Sequence, residues 1–134
     1  MGINLKRAGK LDDALKYYRK ANELAPDNST FQYNTGVLYH IRSDYSLAIE
    51  TLERSIENNR ENVYAYLALG DALERQKEIK RAIYVYRDLM SLGMTVHGLK
   101  EKLAYLENQH EEALNREAKE RQQQARVDQE KKDR

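Results

Sequence analysis

Shifted by 34 residues, this chain falls on its own likeness. Gly2, Gly36 and Gly70 stand 34 apart, and the same shift carries Ala14 onto Ala48 and Ala82, and Leu11 onto Tyr45 and Ile79. Two small-residue slots and one large apolar slot therefore recur in register, most completely in the stretch from Phe31 to Ile56. A fixed period of this size calls for stacked supersecondary units, each burying the faces it shares with its neighbours instead of a single central core. Such a stack leaves much surface in water, which suits a chain with 34% charged residues.

Within the period the apolar spacing is helical. One proline and six glycines in 134 residues leave few breakers for a strand-and-turn architecture. Leu11, Ala14, Leu15, Tyr18, Ala21 and Leu24 recur at intervals of three and four, the mark of one helix face. The expected helices are a short one ending near Gly9, then 11–24, 30–41, 45–58, 63–76 and 78–92. Asp12 and Asp13 are expected in the first turn of the second, where the helix dipole favours negative charge. Pro26 ends that helix, and residues 27–29 offer capping side chains to the next. The period divides the chain into units at 1–28, 29–62 and 63–96. Thereafter Val96, Leu99, Leu103 and Leu106 mark a capping helix over 97–107 that hides the open face of the last unit. A charged helical extension over 108–134 follows, with Glu112–Arg116 and Glu117–Arg121 pairs. Its apolar residues, Leu114, Ala118, Ala125 and Val127, are too sparse for a sustained coiled-coil seam. Two readings of it stay open, a solvated helix and a docking helix for another subunit.

These residues resemble the tetratricopeptide repeat, whose pattern runs W-x2-L-G-x2-Y, then A-x3-F, then P. The middle unit supplies Gly36, Tyr39, Ala48 and Leu52, with Gln32 where the family prefers Trp. The third supplies Tyr66, Leu69, Gly70, Leu73, Ala82 and Tyr86, and the first Gly2, Leu5, Ala14, Tyr18 and Pro26. The resemblance covers residues 1–96 and implies an all-α solenoid of antiparallel helix pairs. It also implies a concave groove lined by the first helix of each repeat. The residues matching groove slots are Ile3, Arg7, Tyr33, Asn34, Val37, Ile41, Tyr64, Leu67, Ala68 and Asp71. One branch of the family grips the C-terminal carboxylate of chaperones through two cations and two asparagines. Here Asn34 matches one clamp asparagine, but Ile3 replaces the other, and Tyr64 and Ala68 fill cationic slots. The clamp is thus not expected. The groove suits an amphipathic helix or an extended apolar segment, with Asp71 and Glu74 toward one rim. In this register Met1 falls in the middle of the first helix, which fits either a short natural protein or a piece of a longer array.

Chemistry beyond binding finds little support in the sequence. Lys and Arg number 23 against 22 Asp and Glu, so no global field draws in nucleic acid or an anionic membrane. With no cysteine, thiolate metal sites and cysteine nucleophiles are excluded. His40, His97 and His110 lie in different segments without ligand spacing. No catalytic residue, cofactor, metal or small-molecule substrate is expected. No apolar run reaches the roughly 18 residues of a membrane span, and cytoplasm or nucleus is the default compartment, with a cytoskeletal or ciliary assembly as a further option. The expected role is a non-catalytic adaptor or structural subunit of a multiprotein assembly, with a protein partner. The alternatives are a regulatory fragment of a larger repeat protein, co-chaperone-like or attached to an enzyme, and a helical-repeat RNA binder.

Overall fold

The computed structural model describes residues 5–134, with side chains from Arg7 onward. Among them are six helices and no strand: α1 (Leu5–Leu24), α2 (Ser29–Ile41), α3 (Tyr45–Asn58), α4 (Val63–Arg75), α5 (Ile79–Ser91) and α6 (Leu99–Lys132). The chain divides into two compact units, Met1–Thr95 and Val96–Arg134.

In the first unit each helix packs on the next, α1 on α2 through to α5, and α2 also touches α4. The reversals inside the helix pairs are built identically. Ser43 and Lys77, 34 apart, both adopt the left-handed conformation, at φ 65° and 63°. The amide of Asp44 donates to the Tyr39 carbonyl and that of Ser43 to His40; Glu78 donates to Leu73 and Lys77 to Glu74 in the same way. This pairing satisfies the last carbonyls of a helix and reverses the chain within three residues. The entries are matched too. The Asn28 side chain accepts from the Phe31 amide and the Asn62 side chain from that of Ala65, closing orphan donors of α2 and α4.

The recurring small residues sit where helices come closest. A Cβ on Gly36 would lie 2.6 Å from Leu52 Cγ, and one on Gly70 would lie 2.3 Å from Tyr86 Cζ. Ala48 and Ala82 are fully buried beside these contacts, as are Leu52 and Leu89. The family's Trp slot carries a different device. Gln32 donates to the Pro26 carbonyl at 2.7 Å, and Tyr66, one period later, donates to the Arg60 carbonyl at 2.9 Å. Both close the turn six residues upstream, so a buried polar side chain replaces an indole without leaving its polar atoms unpaired. Gln32 is completed by Asn58, whose amide donates to its Oε1 at 2.9 Å.

Three expectations need correction here. The short helix ending near Gly9 does not form, because α1 runs unbroken from Leu5 through Gly9 to Leu24. Gly9 stands one period before Ser43, in the slot where the later units turn, yet it is helical. Continuing the backbone hydrogen bonds outweighs the ~1 kcal/mol cost of an interior glycine. Asp12 and Asp13 accordingly lie inside α1 rather than in a first turn, and Asp12 accepts from Arg42 at 3.2 Å. Leu24, assigned to the buried stripe, is 80% exposed.

In the second unit Gly98, at φ 76°, is the N-cap of α6. Capping segment and charged extension are continuous, forming one 34-residue helix. Leu99, Leu103 and Leu106 are its buried residues, whereas Leu114 is 49% exposed. The Glu112–Arg116 and Glu117–Arg121 pairs are not among the ion pairs of the described residues. The bonded pairs four apart are Gln109–Tyr105, Gln124–Asp128 and Gln129–Asp133, as fits charged pairs whose exposed ends gain little from meeting.

Candidate interaction groove

Helices α2 and α4 are the first helices of successive units, and each divides its side chains between two tasks. On α2, Gln32, Thr35, Gly36 and Tyr39 are buried. Tyr33, Val37 and His40 follow one another at spacings of four and three and stay half-buried. On α4, Ala65, Tyr66, Leu69, Gly70, Ala72 and Leu73 are buried. Tyr64, Leu67 and Asp71 recur at three and four, with Tyr64 69% exposed. The two part-open stripes run side by side, since α2 and α4 touch directly. Tyr33 and Tyr64 are close enough to influence each other electrostatically. Burial, and then the neighbouring Tyr64 hydroxyl, push the Tyr33 phenol above its ordinary range.

At the other end of the stripes His40 Nε2 donates to Asp71 Oδ2 at 2.6 Å, and Tyr45 stands edge-on to the His40 ring, centroids 5.3 Å apart. Arg75 approaches the same Asp71 oxygen at 3.9 Å. Glu74 is also engaged, accepting from the Tyr86 hydroxyl at 2.7 Å. The acidic rim expected from Asp71 and Glu74 is therefore largely tied into the protein. Both carboxylates hold helix pairs together, and between them and the Tyr33–Tyr64 end lie Val37, Leu67 and Ala68 with Asn34 as the polar member.

The structure brings together Tyr33, Asn34, Val37, Tyr64, Leu67, Ala68 and Asp71 on α2 and α4, all part-exposed or exposed. Ile41, 44% exposed, sits at the end of α2 one step off the stripe. Arg7 is exposed on α1, and Ile3 lies outside the described residues. The sequence reading weighs His40 only for metal-ligand spacing and misses its place on the groove-facing stripe. Its spacing of three from Val37 was the signal that it shares the groove-facing stripe. Among the described residues no cluster of His, Asp and Glu could hold a metal ion, and no helix is long and apolar enough to cross a membrane.

Helix pairs stacked at a 34-residue period, with small residues at the crossings and part-open stripes on the adjacent α2 and α4, define a helical-repeat scaffold. The tetratricopeptide repeat profile matches residues 1–56 and 42–90, and the chain belongs to that family. Similar sequences include the BBSome complex member BBS4 of Bos taurus, 30% identical over 79 residues, covering 59% of this chain and 15% of that protein. The heat shock protein STI1 of Saccharomyces cerevisiae is 27% identical over 124 residues, covering 87% of this chain and 20% of its own length. The chain thus spans a fifth or less of the curated relatives it matches. Among solved structures, the first repeat domain of Spaghetti (RPAP3) bound to the HSP90 peptide SRMEEVD superposes with a TM-score of 0.66. It is 21% identical, with 75% of this chain and 82% of that one covered.

Proposed function

We propose that the chain is a non-catalytic protein-interaction adaptor that holds an apolar or amphipathic peptide segment in the groove between α2 and α4. The carrying observation is the side-by-side placement of Tyr33, Val37, Tyr64 and Leu67, part-exposed or exposed on helices whose core-facing stripes are buried. Such residues gain free energy only when something covers them, and aromatic anchors dominate recognition of this kind. The solved relative with an HSP90 peptide supports a protein partner in general. The chaperone C-terminus is not the partner we infer, because Tyr64 and Ala68 occupy the slots that would need positive charge, and a terminal carboxylate buried without a cation is costly. The repeat units are read as 1–28, 29–62 and 63–96, with groove residues Ile3 and Arg7 extending the surface onto the first.

Selection of peptides from a random displayed library, followed by calorimetry on the winners, tests this reading. Apolar or amphipathic segments should be enriched, and Tyr33→Ala with Tyr64→Ala should weaken them by at least about 30-fold, the equivalent of about 2 kcal/mol for buried aromatic anchors. Enrichment of acidic C-terminal peptides, or affinities indifferent to both substitutions, would overturn it.

A further inference from the structure

A cleft lined by α1, α2 and α3 is polar where the next repeat is not. It holds about 360 Å³, and every lining residue except Pro26 carries a polar side chain. Arg19 and Asn22 come from α1, Thr35 and Tyr39 from α2, and Arg54 from α3. One period later the same slots hold Glu53, Ile56, Leu69, Leu73 and Asp88. Both cations have become acids there, and the polar pair Asn22–Thr35 has become Ile56–Leu69. The character of the cleft therefore belongs to this place in the chain and not to the repeat. It also carries a cost. Asn22 Nδ2 donates to Thr35 Oγ1 at 2.9 Å, but Asn22 Oδ1 is buried without a hydrogen-bond partner among the described residues. An apolar pair serves the slot one period later, whereas the polar pair leaves an acceptor unsatisfied, so packing alone does not account for it.

We propose that this cleft receives the carboxylate of an aspartate or glutamate side chain from a protein partner. The lining offers donors in excess. Arg19 is hydrogen-bonded to the Tyr39 hydroxyl, and Arg54 Nη2 donates to Glu50 Oε1 at 3.0 Å. Each guanidinium has five N–H groups and so keeps most of them. The Arg54–Glu50 pair is held loosely, its side chains being 62% and 60% exposed. Tyr39, accepting from Arg19, keeps its own O–H to give. With its oxygen enclosed, Asn22 offers the cleft the second N–H of its amide. Against these donors stands one lining carboxylate, Glu23. Both arginines would repel a cation, and a neutral acceptor would use only part of their charge. A carboxylate takes bidentate bonds from a guanidinium fork and has lone pairs left for the remaining donors. Complementary charge across the contact then selects an acidic partner surface. By helical spacing Thr35 and Tyr39 lie on a different face of α2 from Tyr33 and Val37, so the site does not depend on what the groove binds.

The test is an NMR titration of the isotopically labelled full chain with acetylated and amidated Gly-Glu-Gly, read at the Asn22 side-chain amide and the Thr35 backbone amide. Both should shift saturably at low-millimolar peptide. The Gly-Gln-Gly analogue, equal in shape but uncharged, should bind at least about tenfold more weakly. Arg19→Glu with Arg54→Asp, the residues found one period later, should abolish the shifts. Both arginines are exposed, so the circular dichroism should not change. Asn22→Ile with Thr35→Leu should leave the thermal midpoint at or above that of the native chain while weakening the peptide at least about threefold. Tyr33→Ala should change nothing. Four results overturn the proposal: no saturable shift, equal binding of the glutamine peptide, binding indifferent to the arginine pair, and a midpoint lowered by the Asn22 and Thr35 exchange, which would make that pair structural. Two more overturn the acidic side chain as occupant. A phosphoserine analogue binding more than about tenfold tighter than the glutamate peptide would make phosphate the ligand, and inorganic phosphate matching the peptide would leave an adventitious ion only.

Discussion

Replacing a single glycine by alanine should have opposite signs at two positions of this chain. Gly9 lies inside α1, with nothing within 4 Å of the position a Cβ would take. Alanine there removes the entropic handicap of glycine in a helix, so Gly9→Ala should stabilise by roughly 0.5–1 kcal/mol. Gly70 is also helical and gains the same increment, but its Cβ would lie 2.3 Å from Tyr86 Cζ, 2.5 Å from Cε1 and 2.7 Å from the hydroxyl oxygen. The ring cannot step aside cheaply, because Tyr86 is 1% exposed and its hydroxyl is held by Glu74. Overpacking of a well-filled contact costs about 1–3 kcal/mol, and loss of the hydroxyl's bond adds about 1 kcal/mol. After the helix gain is subtracted, Gly70→Ala should destabilise by about 1–3 kcal/mol. Thermal melts by circular dichroism read this as a midpoint lowered by several degrees for Gly70→Ala and raised by a few for Gly9→Ala. Adding Tyr86→Ala should abolish the penalty at Gly70, a coupling that a double-mutant cycle isolates. If Gly70→Ala stabilises as Gly9→Ala does, the close crossing of α4 and α5 is wrong. If Gly9→Ala destabilises, the chain turns at Gly9 and α1 is not continuous.

Further predictions concern pH and the turns. Burial and the Glu74 carboxylate raise the Tyr86 phenol well above its usual value of 10.0, and burial raises Tyr66 and Tyr33 in the same direction. The folded state then holds protons that the unfolded chain releases, so this stabilisation is complete below pH 10 and declines as pH rises above it; Tyr86→Phe should flatten the decline in alkaline melts. Asn62→Ala removes the side-chain acceptor for the Ala65 amide and should cost about 1 kcal/mol in urea denaturation. Lys77 holds φ 63° at the reversal between α4 and α5, so Lys77→Gly should raise the midpoint by an amount equivalent to roughly 0.5–1 kcal/mol, because it relieves the left-handed penalty.

Much of this architecture can be read from spacing alone. The period located α2 to α5 to within a residue or two, since each pair has a small residue at its crossing and a stop at the same offset. It also assigned Gly36 and Gly70 a packing role that the short approaches to Leu52 and Tyr86 explain. What escaped depends on partners that a pattern does not contain. The slot at Gly9 has the best residue for a left-handed cap, yet α1 runs through it, because a residue suited to a turn is also tolerated inside a helix at a cost of only about 1 kcal/mol. Leu24 has the right spacing for a buried stripe, but burial requires a second helix above it. On α2 and α4, the part-open positions Tyr33, Val37, Tyr64 and Leu67 can be told from the buried stripe by helical spacing alone. The roles of Asp71 and Glu74 were not, because each is decided by a residue from another helix, His40 and Tyr86.

The claim that matters most is that α2 and α4 present the surface a partner covers. Amide chemical-shift mapping with a peptide selected from the displayed library measures this directly. The largest changes should fall on Tyr33, Val37, Tyr64, Leu67 and their α2 and α4 neighbours, while the outward positions Leu47 of α3 and Tyr84 of α5 stay in place. Changes centred on α3 and α5 with α2 and α4 undisturbed would contradict it.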